Sequence, residues 1–377
     1  MRILFIDKTA VLEASHERYE KLAQVSDVEL AVISPSRWRE HMREVRAERT
    51  NHPDYEIYLG RTFWTGSYSR GFYVSGLRKA LRDFRPDIVQ LLEEPWSLFA
   101  GQTVRLAKRL IPEAKVLFYT WENIYREGTY CSKLDPVHRR VETKVFDYCP
   151  SGICATHLAA EVLRKRGFSG QAAVIPYGIN QSFLLAAEEI EARAERPVGS
   201  PPRIGYVGRL LPMKGVDTLL EALGKVDGEL TVLGSGEDSD RLEGLAQELG
   251  VSDRVEWVPA VPPTEVSHIM SSLDVLVLPS RTTPTWAEQL GRVLLEAMAC
   301  GVPVIGSDSG SIPEVVGEEG LIFPEGNPDA LAEALGRLTA DPDLRKEKIL
   351  SGWNKVRDRY TWDRFVSDMV DRFRSLC

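Results

Sequence analysis

The chain has 377 residues, 43% hydrophobic and 27% charged, with 29 Gly, 22 Pro and a formal net charge of −8. At roughly 150 residues per domain this length points to two or three domains and excludes a disulfide-stapled miniature, while the composition excludes disorder and low-complexity repeats. The charge is uneven: residues 1–185 carry 27 Lys and Arg against 22 Asp and Glu, the remainder 20 against 33, so the two halves are expected to meet different partners.

The N-terminus, Met1 to Asp7, meets a charge after four apolar residues and lacks a small-residue cleavage site, so it reads as a first strand and not a signal peptide. Further apolar runs at 29–33, 88–92, 115–119, 152–155 and 173–175 alternate with helical periodicity at 76–83, 102–110 and 159–166. Continuous runs of this kind suit strands buried on both faces, and the alternation implies a parallel sheet. Between them, residues 36–46 place Trp38, Met42 and Val45 on one helical face and Arg39, Arg43 and Arg46 on another. An amphipathic helix is expected there, its apolar side joining the core or, alternatively, seating on an anionic bilayer. The aromatic cluster Phe63, Trp64, Tyr68, Phe72 and Tyr73 is read either as a sugar-stacking surface or as packing.

After Ile175 the stretch 186–202 turns acidic and Ala-rich, then rich in Pro, Gly and Ser, and is expected to be an exposed connection. The rhythm restarts with strands at 204–207, 230–233, 255–258, 275–278, 302–305 and 321–323, and a final helix is expected over 362–376. The fold class is therefore α/β: two doubly wound Rossmann-like domains, 1–185 and 203–358, facing across a cleft, with 359–377 packing back on the first domain. No apolar run approaches the roughly 18 to 20 residues of a membrane span, so a cytoplasmic location is expected. The five cysteines form no C-x2-C pair and the six histidines lack ligand spacing, so reduced thiols and no metal site are expected.

Chemistry concentrates in the second half. Gly208-Arg209-Leu210-Leu211-Pro212-Met213-Lys214-Gly215 follows a strand with two cations five residues apart, a spacing able to put a planar fork and a point charge on one pyrophosphate. Downstream, Gly291 marks a helix start and Gly301 with Pro303 its end, and Glu296 is the one charged residue from Val293 to Ala299. A carboxylate on a buried helix must find a partner or face a polar pocket, where ribose hydroxyls or an ion pair would serve. The backbone N–H groups near Gly291, Arg292 and Val293 are a seat for phosphate oxygens, and Glu288 stands on the approach loop. The turns at Gly234-Ser235-Gly236 and Gly306-Ser307 permit close backbone approach. Two D-x-D patterns, Asp238-Ser239-Asp240 and Asp341-Pro342-Asp343, are read as chance and not as metal sites.

This ordered set, with G-S-G-E at 234–237, Pro279-Ser280, Glu288 and Glu296 separated by seven residues, and E-A-M-A-C-G-V-P-V-I at 296–305, resembles the GT-B-fold retaining glycosyltransferases of family 4, the group 1 glycosyl transferases. In the first half only Ile175-Pro176-Tyr177-Gly178-Ile179-Asn180 with Phe183 is similar to the family pattern. The resemblance implies metal-independent, retaining transfer of a sugar from a nucleoside diphosphate sugar to a glycan, lipid-linked or small-molecule acceptor in glycan, glycolipid or polysaccharide biosynthesis. It implies catalytic roles for Arg209, Lys214 and Glu288. Donor binding would fall to those three with Gly208, Gly234, Gly236, Gln289, Leu290, Gly291, Arg292, Val293 and Glu296. No cofactor and no nucleic acid are expected, and peripheral contact with an anionic inner membrane face is a further expectation. A nucleotide-sugar epimerase or hydrolase, or a non-catalytic module, is the alternative. The sequence departs from the family on the acceptor side: Asp7-Lys8-Thr9-Ala10 through His16 stands where many members have a Gly-Gly loop, and Thr120-Trp121-Glu122-Asn123 where many have a His-Asp pair. His16, Glu122 and Asn123 are the acceptor-side candidates.

Overall fold

A computed structural model describes residues 1–40, 43–126 and 134–377. His41 and Met42 of the expected amphipathic helix, and Cys131, lie outside the described residues. The chain divides into two compact units, Met1–Gly178 with Trp362–Cys377, and Ile179–Thr361.

In the first unit β1 (Arg2–Ile6), β2 (Glu29–Pro35), β5 (Glu56–Gly60), β8 (Ile88–Leu91), β9 (Lys115–Thr120), β10 (Ser151–Cys154) and β11 (Gln171–Val174) form one parallel sheet in the order β11-β10-β9-β8-β1-β2-β5. Two antiparallel hairpins lie outside it, β3 (Arg37–Glu40) with β4 (Arg43–Arg46), and β6 (Thr62–Phe63) with β7 (Phe72–Tyr73). Side chains alternate between two cores. Leu4, Ile6, Val89, Leu91 and Phe118 face the helices Leu77–Phe84 and Leu98–Leu110, whereas Ile3, Phe5, Ile88, Leu117 and Tyr119 face Glu17–Ala23 and Trp362–Arg374. Both faces are covered, which is why the strands read as unbroken apolar runs. The final helix supplies Trp362, Phe365, Met369 and Phe373 to the second core, each contributing on the order of 1.5 to 3 kcal/mol by burial.

The second unit holds β12 (Arg203–Val207), β13 (Glu229–Leu233), β14 (Val255–Val258), β15 (Val275–Leu278), β16 (Val304–Ser307) and β17 (Leu321–Phe323), all parallel, in the order β14-β13-β12-β15-β16-β17. The order reverses between β12 and β15, as it does between β1 and β8 in the first unit. Ligands of open α/β sheets sit beyond the carboxyl ends of the strands at such a reversal.

Two expectations are corrected, and one further strand had not been anticipated. Residues 37–40 and 43–46 are paired antiparallel strands and not a helix: Trp38 stands opposite Val45 across the strands and is buried, while Arg37 and Arg39 point to solvent. A period of two explains these residues as well as a helical period, and burial of Trp38 decides for it. The strand β5, a sheet edge that begins at Glu56 and is only partly buried over its short apolar run Ile57-Tyr58-Leu59, was not anticipated. The stretch 186–202 is not an open connection. Ala187–Ala194 is a helix with Ile190 and Ala194 buried, and Arg193 donates to the carbonyls of Ser271, Leu273 and Gly301 at 2.6, 2.7 and 2.7 Å. Beyond it Asp274 accepts from the N–H groups of Gly199 and Arg203 at 3.1 and 2.9 Å. Acidic, Ala-rich composition is equally that of a helix, and long-range contacts fix this one to the second unit. Among the described residues no helix is long and apolar enough to cross a membrane.

Candidate active site

In the second unit the loop leaving β12 is stitched to the one leaving β13. Gly208 N–H donates to Leu233 O at 2.9 Å, Leu210 N–H to Ser235 O at 3.0 Å and Asp238 N–H to Leu210 O at 3.2 Å. A Cβ at Gly234 would lie 1.9 Å from Gly208 O, and one at Gly236 1.9 Å from Leu210 O. These glycines, expected to admit a ligand, admit the neighbouring loop. Gly215 does the same toward the other side of the reversal: its φ is +68°, a Cβ there would meet Pro279 O at 2.0 Å, and Arg281 N–H donates to Met213 O at 2.8 Å.

That contact brings Lys214 to the loop leaving β15. Its ammonium lies 2.6 Å from Glu288 Oε2 and 4.6 Å from the centre of the Trp286 ring, and Ser280 Oγ donates to the same carboxylate oxygen at 2.8 Å. The two side chains are only 14% and 11% exposed, so their pairing is weakly screened yet open to a ligand. Arg209 is exposed, and its guanidinium has no ion-pair partner among the described residues; its carbonyl accepts from Tyr206 OH at 2.7 Å. The structure thus unites Lys214 and Glu288, 74 residues apart, at the reversal between β12 and β15.

Gly291 caps the helix Arg292–Ala299 in a left-handed conformation, and Leu294 N–H returns to its carbonyl at 2.8 Å. The first N–H groups of such a helix have no acceptor within it and favour an anion. Glu296 takes the ion-pair option: Arg292, one turn earlier, lies 3.1 Å away. Burial raises the Glu296 carboxyl above its ordinary range and Arg292 opposes the shift. Gln289 and Arg292 are exposed and Val293 is half-buried, whereas Leu290 is buried, leaving only its backbone to face a ligand. Both D-x-D patterns are occupied structurally: Asp238 pairs with Arg241 at 2.6 Å, and Asp341 caps a helix by accepting from Leu344 N–H at 2.9 Å.

The first unit carries a matching arrangement that sequence reasoning missed. At the reversal between β1 and β8, Lys8 pairs with Glu93, both nearly fully buried, and the ammonium lies 4.5 Å from the centre of the Tyr68 ring. Beside it Asp7 pairs with Arg18 and accepts from Tyr19 OH at 2.7 Å and Thr9 N–H at 2.7 Å. Burial alone would raise the Asp7 carboxyl, but Arg18, Tyr19 and Thr9 together carry it below its usual value. The available signal was a charged residue directly after each buried run, Asp7-Lys8 after β1 and Glu93-Glu94 soon after β8.

Of the acceptor-side candidates, His16 is buried and holds structure: Nε2–H donates to Ala10 O at 2.9 Å and Nδ1 accepts from Tyr55 OH at 2.7 Å. Burial lowers its pKa, in keeping with a neutral ring. Both ring nitrogens are thus engaged within the first unit. Asn123 is buried, and Glu122 pairs with Arg126 at 2.5 Å. Their loop is fastened by Glu94, which accepts from Thr120 Oγ1 at 2.7 Å and Trp121 N–H at 2.8 Å. Burial, reinforced by the charge of Glu122, pushes the Glu94 carboxyl up to about 8. Unfolded, that carboxyl loses its proton near its ordinary 4.5; folded, it keeps it to about 8, so this group makes stability fall as pH rises between those values. Glu94→Gln should flatten that fall in urea unfolding followed from pH 5 to 8; an unchanged slope would rule Glu94 out as its source.

Taken over its full length, the chain shares the two-sheet GT-B architecture of solved glycosyltransferases. It aligns with sucrose-phosphate synthase from Thermosynechococcus elongatus at a TM-score of 0.73 and 21% identity, covering 100% of this chain and 99% of that one. Anabaena HepE, solved in complex with UDP and glucose, aligns at 0.68 and 15% identity, covering 100% of both. Residues 188–350 match the model of the family described as glycosyl transferases group 1. D-inositol 3-phosphate glycosyltransferase of Corynebacterium jeikeium is 34% identical over 190 residues, 46% of this chain and 44% of that protein. The GDP-mannose-dependent alpha-(1-6)-phosphatidylinositol monomannoside mannosyltransferase of Mycobacterium tuberculosis is 34% identical over 197 residues, 50% of this chain and 51% of that protein. The chain spans about half the length of the curated relatives it matches.

Proposed function

We propose that the protein is a retaining, metal-independent glycosyltransferase that moves a sugar from a nucleoside diphosphate sugar to an acceptor hydroxyl in glycan biosynthesis. The observation that carries this reading is the Lys214–Glu288 pair at the strand reversal of the second unit, with Arg209, in no ion pair among the described residues, on the loop that bears Lys214. An ammonium has three donors, so Lys214 can keep Glu288 and still bind a phosphate oxygen. Arg209 adds a fork to the same diphosphate, and the helix start at Gly291 to Val293 adds backbone N–H groups. Glu288, as an acceptor beside Lys214, would hold a sugar hydroxyl, and Glu296, shared with Arg292, would face the ribose.

In the transfer the bond from the anomeric carbon to the phosphate oxygen breaks, and the acceptor oxygen bonds that carbon on the same face. The acceptor proton passes to the leaving phosphate. Negative charge grows on the diphosphate, where Arg209 and Lys214 stabilise the transition state more than the ground state and take the part a divalent metal plays elsewhere. On the first unit Glu122 and Asn123, on the loop that Glu94 fastens, contact the acceptor. The nucleotide class is supported by the HepE complex with UDP and by the GDP-mannose dependence in the name of the mycobacterial relative.

A thermal-shift panel of UDP, GDP and ADP sugars tests the donor, since a ligand that binds the folded chain raises its stability. One family of nucleotides should stabilise the wild type and lose its effect in Arg209→Ala. No shift from any nucleotide sugar would refute the reading. With donor alone, rapid release of free sugar or appearance of an epimer would favour a hydrolase or epimerase.

A further inference from the structure

Five of the nine large hydrophobic side chains exposed among the described residues fall within sixteen residues of sequence: Leu59, Phe63, Trp64, Tyr68 and Val74. The hairpin of β6 and β7 carries most of them. Phe63 packs on Trp64 and Phe72 at centroid distances of 4.9 and 5.6 Å, yet Phe63 and Trp64 remain 50% and 47% exposed. Trp64 adopts a φ of +54°, a left-handed conformation costly for a bulky residue. The fold thus holds an indole in solvent at the expense of backbone strain, where a core role would turn it inward. Gln102 fastens the hairpin to the helix Leu98–Leu110, accepting from Tyr73 N–H at 2.9 Å and donating to Tyr73 O at 2.6 Å.

The surroundings of this apolar tip are cationic. Phe72 leads into a groove of about 710 Å³ whose floor includes Leu98, Val104 and Val141 and whose rim carries Arg105, Lys108, Arg109 and Lys144. On the other side of the hairpin, Val74 and Arg78 line a second hollow with the same Arg105 and Arg109. Arg70 lies 5.9 Å from the centre of the Trp64 ring. Arg61, Arg78, Arg105 and Arg109 are exposed, and none forms an ion pair among the described residues. The helix Leu98–Leu110 contains three cations and no acid.

We propose that this face, the β6–β7 hairpin with the exposed side of the helix Leu98–Leu110, docks on the surface of an anionic lipid bilayer. Aromatic rings suit the boundary between headgroups and acyl chains, and unpaired Arg and Lys around them suit anionic headgroups. A glycan surface would need carboxylate or amide partners beside the rings, and a second copy of this chain would bring further cations against them. The inference goes beyond the proposed transfer chemistry and holds whichever sugar is moved.

Flotation of the full chain with vesicles tests it. Binding is expected to phosphatidylcholine vesicles containing phosphatidylglycerol, to be absent from phosphatidylcholine alone, and to weaken as salt is raised. Arg105→Glu with Arg109→Glu, and separately Phe63→Ser with Trp64→Ser, should each lower binding at least tenfold while nucleotide binding and circular dichroism stay native. Arg337→Glu, an exposed cation of the second unit, should change neither. Absence of binding to anionic vesicles, equal binding to both kinds, binding unaltered in both double variants, or lipid-free self-association abolished by them would each overturn the proposal.

Discussion

Lys214→Ala should lower turnover by roughly 10² to 10³, about 3 to 4 kcal/mol of transition-state stabilisation, the range seen when one preorganised electrostatic donor is removed from a reacting site. The structure adds a second reason for a large effect. Lys214 is the cation on Glu288, and its loss leaves that carboxylate, 11% exposed, without this counter-charge and facing the diphosphate it should repel. Because charge grows on the leaving group only as its bond breaks, kcat should fall more than the donor KM rises. Glu288→Gln in the same background should recover part of the loss, since it removes the uncompensated charge. Near-normal kcat in Lys214→Ala with only a raised KM would reduce Lys214 to a ground-state contact and end its role as a clamp on the departing phosphates.

The second large effect falls on stability. Arg18→Ala should cost about 3 to 5 kcal/mol, the penalty for stranding one partner of a buried ion pair, against a typical total near 5 to 15 kcal/mol. Asp7 is fully buried and Arg18 nearly so, and Arg18 also lies 5.4 and 5.5 Å from the ring centres of Tyr177 and Trp362. Its removal therefore strands a carboxylate and loosens the final helix on the first unit. Asp7→Leu combined with Arg18→Met should restore most of the loss, because an apolar pair of similar volume avoids the desolvation penalty. Urea unfolding reads this directly; if the units unfold in separate transitions, only that of the first unit should move. A cost below about 1 kcal/mol would mean that water or relaxation reaches Asp7 and that the pair is not buried in effect.

Much of the molecule was legible in the order of residues. Runs such as Ile3 to Ile6 and Val275 to Leu278 are strands because continuous apolar stretches suit a sheet covered on both faces, and Gly291 and Gly301 bracket the helix that carries Glu296. Lys214, Glu288 and Glu296 stood out from motif spacing as candidates, and Glu296 lies on the helix Arg292–Ala299. What could not be read was which charge meets which. Lys8 and Glu93 are 85 residues apart and Lys214 and Glu288 are 74 apart, and nothing along the chain marks either pairing. The glycines at 234 and 236 read as room for a ligand, but the backbone of Gly208 and Leu210 fills that room. Trp38 and Val45 fit a helical face and a hairpin equally well until burial chose the hairpin. Local sterics and the period of apolar side chains act within a few residues and leave their trace in the sequence itself. Ion pairing, loop-to-loop contact and exposure depend on distances that exist only once the strands have taken their order, so the tertiary structure alone decided the pairing at both strand reversals and the outward-facing aromatic hairpin.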